Sequence, residues 1–320
     1  MEIPTSTAHP FLPAAVDSNE ARLVVGSGDV LLGEVTRLID DADSRVWIDI
    51  FRTSHEPTME ALAGAAERGV AVHVMGDARE LEHRPPALPE DGISIQAWHD
   101  KPGKQHAKVV AIDDRSAIVG TDVAASASLQ RIEAGVQVFG PAADAVRNLQ
   151  RAARSGNPTW LREAAAESRP HGIYVNEPYV GVLDASAAID HLLGSAEEQL
   201  TVVSRHVRDE TARGALMDAA TRGVDVRLVT VDEYDGDELE ELRAAGVTVT
   251  ALDKGEARRE GRMLHGLLAV ADGAGLVSTA YLDPRLLRGS AGRQSREATV
   301  LLDGPLAQEL HAAIDSTWEP

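Results

Sequence analysis

The chain has no cysteine, which excludes disulfides, thiolate catalysis and cysteine-bound metal. Lysine is nearly absent: Lys101, Lys104, Lys108 and Lys254 are all there are. No apolar run approaches the length of a membrane span, so no transmembrane segment is expected. Met1 to Pro13 lacks a charged start followed by an apolar core, so no signal peptide is expected either and a cytoplasmic location fits. There is no phosphate-binding GxxxxGK[ST] loop, no GxGxxG after a strand, no HExxH and no GxSxG. Eleven histidines are present, but no two stand at a ligand spacing beside a carboxylate cluster, so neither metal nor another cofactor is expected.

What is there is a long acidic body. At 320 residues the chain can bury two separate cores. Its formal charge of -20 repels polyanions, which argues against an extended nucleic acid or an anionic membrane as partner. A salt-adapted proteome gives the same composition, so the local exceptions say more. Lys101, Lys104 and Lys108 crowd one stretch; Lys254, Arg258, Arg259 and Arg262 precede a second, and Arg285, Arg288, Arg293 and Arg296 follow it. Basic character confined to two places suggests a small anionic ligand; solvated loop cations are the plain alternative.

The first of those stretches is Gly103-Lys104-Gln105-His106-Ala107-Lys108-Val109-Val110-Ala111-Ile112-Asp113. Val109 to Ile112 is a short apolar run of the kind that fills a central strand. His106 and Lys108 are two apart and share a face if extended. Asp113 to Ser116 is a polar turn, and Ala117 to Val119 the return strand. This HxKxxxxD pattern resembles the signature of the phospholipase D superfamily, in which two such motifs meet at one active site. The second candidate is His265-Gly266-Leu267-Leu268-Ala269-Val270-Ala271-Asp272, with leucine at the lysine position.

The two halves repeat one another. The first reads as a strand at 22–25, a helix at 30–40, strands at 44–51, 70–75, 93–98 and 134–139, and helices at 58–68 and 142–153. Ala61-Leu62, then Glu67-Arg68-Gly69-Val70, matches Ala215-Leu216, then Thr221-Arg222-Gly223-Val224. Glycine at 69 and 223 suits the left-handed residue that ends a helix. The second half carries helices at 187–193 and 213–222 and strands at 200–203 and 224–229. The expected division is an arm at 1–21, lobes at 22–154 and 173–320, and a linker at 155–172 with a short helix at 159–167. Alternating strands and helices imply α/β architecture. The resemblance implies two duplicated α/β/α lobes, each a mixed sheet flanked by helices, related by a pseudo-twofold axis.

The resemblance also implies roles. His106 is the candidate nucleophile, because an imidazole can attack phosphorus and later leave. His265 is the candidate general acid; the two roles are exchangeable at this level. Lys108 supplies charge to a phosphoryl oxygen. Glu133 and Glu297 match the carboxylates that orient the opposing histidines, and Asp113 and Asp272 match residues that hold the motif hairpins. Thr121 and Thr279 take the hydroxyl position of the family's GSxN element, whose asparagine is replaced by Val123 and Tyr281. Arg52, His55, Arg205, His206 and Arg262 are candidates to replace the missing donors. The implied function is metal-independent phosphodiester cleavage or phosphoryl transfer through a phosphohistidine. The alternatives are a non-catalytic binder of a small anionic ligand, or an enzyme with altered chemistry on a small metabolite.

Overall fold

Strands form here where β-branched and small apolar residues run together, and stop where glycine or a polar pair breaks the run. The computed structural model describes residues 13–81, 92–98, 104–231, 236–288 and 295–318. The first half contributes β1 (Ala21–Ser27), β2 (Arg45–Ile50), β3 (Ala71–Asp77), β4 (Ile93–Trp98), β5 (Lys104–Gln105), β6 (Val109–Ile112), β7 (Ser116–Gly120) and β8 (Arg131–Phe139). The second contributes β9 (Ile173–Glu177), β10 (Val182–Leu183), β11 (Gln199–Ser204), β12 (Asp225–Val231), β13 (Thr248–Leu252), β14 (Met263–Leu264), β15 (Leu267–Ala271), β16 (Ala274–Ser278) and β17 (Ser295–Asp303).

Each half builds one mixed sheet, in the order β1-β8-β7-β6-β2-β3-β4 and β10-β9-β17-β16-β15-β11-β12-β13. In both, a parallel arm (β2-β3-β4, β11-β12-β13) adjoins an antiparallel meander (β6-β7-β8, β15-β16-β17). The parallel arms need crossovers, which helices such as Glu56–Glu67 and Glu210–Thr221 provide. Each of these ends before a glycine with φ of +86° (Gly69) or +93° (Gly223), the conformation the sequence assigned there. The duplicated two-lobed α/β arrangement is the one the sequence implied.

Three cores follow from which face of each sheet is apolar. One lies outside the first sheet, under helices Gly28–Asp40 and Glu56–Glu67, and one outside the second, under Asp184–Ser195 and Glu210–Thr221. The third is shared. Val109, Val119 and Val136 of the first sheet and Leu268, Val277 and Val300 of the second belong to one cluster, together with Val146, Leu161 and Leu310 from helices Gly140–Ser155, Pro158–Ser168 and Gly304–Trp318.

The lobes are also joined by charge. Arg296 on β17, fully buried, is held between Asp49 of β2 and Glu177 of β9, both buried. A buried cation is tolerable only when its hydrogen bonds are filled, and removing either anion would leave it stranded. Residues 14–16, part of the expected N-terminal arm, pack on the second lobe: the Val16 N–H donates to the Leu301 carbonyl at 2.9 Å and the Tyr174 hydroxyl to that of Ala14 at 2.8 Å.

Candidate active site

Two very short strands set the site. β5 does not join its own lobe's sheet but pairs in parallel with the start of β17, Lys104 opposite Ser295 and Gln105 opposite Arg296. The next residue, His106, donates its N–H to the Arg296 carbonyl at 3.1 Å and so arrives beside Glu297. β14 does the converse on β8, Met263 opposite Arg131 and Leu264 opposite Ile132, which brings His265 towards Glu133. Each histidine is thereby delivered to the other lobe's glutamate. The two imidazole centroids stand 5.9 Å apart.

The His106 side is closed by hydrogen bonds. Nδ1 lies 3.0 Å from Glu297 Oε2, which also accepts the Thr279 hydroxyl. The Thr279 oxygen in turn accepts the Ala298 N–H at 3.0 Å, so it props the glutamate. Lys108 Nζ rests against the ring, 3.0 Å from Nδ1 and 2.9 Å from Nε2. Burial pulls the Lys108 ammonium down to about 8, against the attraction of Glu297, Asp122 and Glu133. Burial likewise lowers His106, with Glu297 opposing it.

The His265 side is looser. Its Nδ1 is 3.4 Å from the Thr121 carbonyl and 3.8 Å from Asp122 Oδ2, with no hydrogen bond to Glu133. Glu133 Oε2 accepts the Thr121 hydroxyl, while Oε1 is buried with no partner. Burial, and then repulsion from Asp122, push the Glu133 carboxyl up to about 8, so it is protonated at neutral pH. Burial and then the charges of Lys108 and Arg131 hold His265 well below the ordinary histidine range. Leu267 is fully buried in the outer core of the second lobe. Gly266 is required by close approach: a Cβ there would stand 2.4 Å from Thr121 Cγ2 and 2.6 Å from the Ser278 carbonyl.

Tyr281 stands beside both histidines, edge-on to His265 at 5.5 Å, His206 at 5.6 Å and His106 at 5.8 Å. Burial raises its hydroxyl above the usual tyrosine range, so it stays an O–H donor. Phe51 packs on the far edge of His106 at 5.3 Å. Arg205 brings charge to bear on His265 and Tyr281, and its buried Nε has no partner.

Other residues singled out in the sequence are drawn elsewhere. Arg52 lies at the rim, paired with Glu80 at 3.0 Å and stacked over Phe51. His55 bonds to the Thr58 hydroxyl at 2.7 Å. Arg262 turns to Glu260, Arg285 to Asp283, and Arg288 to Asp190 and Asp209. Three of the loop cations around the second motif are therefore neutralised by neighbouring acids, which composition could not show. Lys101 and Arg293 lie outside the described residues. Both threonine hydroxyls, read as phosphate donors, are spent on Glu133 and Glu297.

Asp113 and Asp272 hold the motif hairpins. Each sits in the left-handed region, at φ of +49° and +51°, a conformation aspartate tolerates. The Asp113 carboxylate accepts the N–H groups of Asp43, Ser44 and Arg45 and the Ser44 hydroxyl; Asp272 accepts those of Glu197, Glu198 and Gln199. Burial opposes ionisation of Asp113, but these donors prevail and hold it well below the usual carboxylate range.

Two site residues escaped the sequence reading, Asp122 and Arg131. Among the described residues, Asp122, Glu133 and His265 form a group whose donor atoms, all within 4.8 Å of one another, could meet a metal ion. Lys108 and Arg131 act on the same atoms, and like charge beside them opposes a cation.

The description "Cardiolipin synthase, PLD-like domain" belongs to a family model that matches residues 35–152 and 189–318. No curated protein matches the chain. Its fold is similar to that of phosphatidylserine synthase from Haemophilus influenzae Rd KW20, with a TM-score of 0.67 at 13% identity over 96% of this chain and 89% of that one. It is also similar to polyphosphate kinase from Porphyromonas gingivalis (TM-score 0.62, 16% identity, 95% of this chain and 49% of that one). A variant of yeast tyrosyl-DNA phosphodiesterase gives a TM-score of 0.56 at 10% identity, over 88% of each chain. Among the described residues no helix is long and apolar enough to cross a membrane. With two repeats matched over most of its length, the chain belongs to the phospholipase D-like family, whose members act on phosphodiester substrates.

Proposed function

We propose that the protein cleaves or transfers a phosphodiester, without metal, through a phosphohistidine at the interface of the lobes. The observation that carries this is the His106–Glu297 hydrogen bond across that interface, with the His265 ring 5.9 Å away. Donation of Nδ1–H to the carboxylate leaves the lone pair on Nε2. Nε2 attacks phosphorus, an N–P bond forms as a P–O bond breaks, and His265 protonates the departing oxygen. Water or an alcohol, deprotonated by His265, then attacks phosphorus and displaces His106. Lys108, charged below about pH 8, meets the phosphoryl oxygen as its charge grows. In the empty site His265 is neutral; an anionic phosphate beside it favours the protonated form that the first step needs.

Hydrolysis of a chromogenic phosphodiester in the presence of a chelator tests the reading, with salt varied because of the acidic surface. Wild type turns over, His106→Ala and His265→Ala fall by roughly a thousandfold or more, and an acid-labile phosphoenzyme is trapped on His106. A wild type as inert as both variants would sink it. One observation favours a second reading, altered chemistry on a small metabolite: an aromatic ring, Tyr281, packs edge-on against both histidines. That reading predicts that Tyr281→Asn improves turnover of bulky artificial diesters while impairing the natural reaction.

A further inference from the structure

The two sides of the site should be equivalent by internal duplication, yet one lacks its lysine. On the His106 side the set is Lys108, Glu297, Thr279 and, two residues before the glutamate, Ser295. On the His265 side it is Leu267, Glu133, Thr121 and, at the position matching Ser295, Arg131. The cation is missing from the motif strand and present instead on β8, the strand paired with the β14 segment that leads into His265, while the matching position on the His106 side is Ser295.

Three observations place that arginine at the chemistry. Arg131 and Glu133 are alternate residues of β8, so their side chains leave the same face, and the Glu133 carboxyl lies with His265 and Asp122. The Arg131 backbone is opposite Met263, two residues before His265. Its charge is felt by Lys108, Glu133, His265 and Tyr281, residues from both lobes that meet only at the site. Arg131 is half-buried, and among the described residues its guanidinium makes no ion pair and no hydrogen bond, whereas Arg262, Arg285, Arg288 and Arg296 are all matched to acids. An unmatched guanidinium beside two histidines in a strongly acidic protein is a site for an anion.

We infer that Arg131 is the second phosphoryl-binding cation of the site, contacting the substrate from β8 in place of the lysine that Leu267 has displaced. This rests on the phosphodiester reading above and gives its oxyanion two clamps of different geometry: a compact ammonium from Lys108 and a planar fork from Arg131. A fork can take two oxygens of one phosphoryl group at once.

The test uses the full chain with Arg131→Met and Arg131→Gln, each checked for a wild-type melting curve in the absence of ligand. Two readouts are taken: kcat/KM on the chromogenic diester, and affinity for tungstate, a phosphate mimic, from its concentration-dependent rise in Tm. Either folded variant should lose about a hundredfold in kcat/KM and about tenfold in tungstate affinity, the latter at low and moderate salt alike. Both variants within twofold of wild type in both readouts would overturn the proposal. A wild type that binds tungstate through Arg131 but turns over no diester would remove the diesterase reading and leave Arg131 as an anion ligand. Tungstate bound equally by wild type and both variants removes Arg131 whatever the turnover.

Discussion

The His106 and His265 sides of the site began as copies and now differ in almost every supporting contact. His106 has an ionic partner at 3.0 Å and a lysine against its ring. His265 has a carbonyl at 3.4 Å, a carboxylate at 3.8 Å and a glutamate that is protonated at neutral pH. On the phosphohistidine reading, the difference separates two jobs that identical sites would share. On that reading a nucleophile is served by a fixed tautomer and by a carboxylate that opposes the loss of basicity on burial, and Glu297 supplies both. A group that must give up a proton is served by a surrounding that does not hold it, which Lys108 and Arg131 supply.

Mutating matched residues on the two sides breaks that comparison most directly. His106→Ala should abolish formation of the phosphoenzyme, with turnover down by roughly ten-thousandfold or more; His265→Ala should still form it slowly with an activated aryl leaving group that needs no proton. Rapid-quench labelling checks both. Next in size, Glu297→Gln should cost about a hundredfold in kcat/KM by unfixing the His106 ring. Glu133→Gln should cost less than about tenfold at pH 7, because the protonated acid and the amide carry the same charge. Equal losses in the two variants would show that the sides are not divided in this way.

A third effect is on pH dependence. Activity should fall as pH rises through about 8, where Lys108 loses its proton and Glu133 its own. The stability consequence of Glu133 has a definite sign. Its folded pKa is raised from 4.5 to about 8, so its contribution is fully present below the unfolded value and is lost as pH rises through the folded one. Melting temperatures between pH 5 and about 9 should therefore fall more steeply in wild type than in Glu133→Gln. The smallest expected effect separates the hairpin aspartates. Asp113→Asn should cost on the order of 2 kcal/mol and Asp272→Asn less, as Asp113 also accepts the Ser44 hydroxyl and pairs with Arg115. Denaturant melts measure it, with activity per folded molecule unchanged.

Much of this was readable from the residues. The repeat shows because both copies keep a glycine after a helix and an apolar run after the glycine, and Ile93–Trp98 is observed with the limits its alternation suggested. His106, Lys108 and Asp113 show because one short stretch around β6 carries them all. The rest depends on contacts between distant residues. Nothing near Lys104 announces pairing with Ser295, and nothing near Arg296 says that it is buried with Asp49 and Glu177 rather than offered to a ligand. No strand is read from the sequence at β9, because Ile173–Glu177 mixes apolar and polar residues, all of them buried. Arg131 had a faint signal, an arginine two before a site glutamate, but its meaning depends on β14 lying alongside.

The exchange of β5 and β14 has a further consequence, for how the molecule can move. Each sheet has a short strand of the other half paired to the start of one of its strands, and that short strand leads directly into the histidine. Swinging the lobes apart would have to break these pairings or the His106–Glu297 hydrogen bond, and it would take Asp49 away from Arg296. An opening of the lobes would therefore break the contacts that hold the two histidines together, and a half expressed alone would lack the strand that seats its histidine.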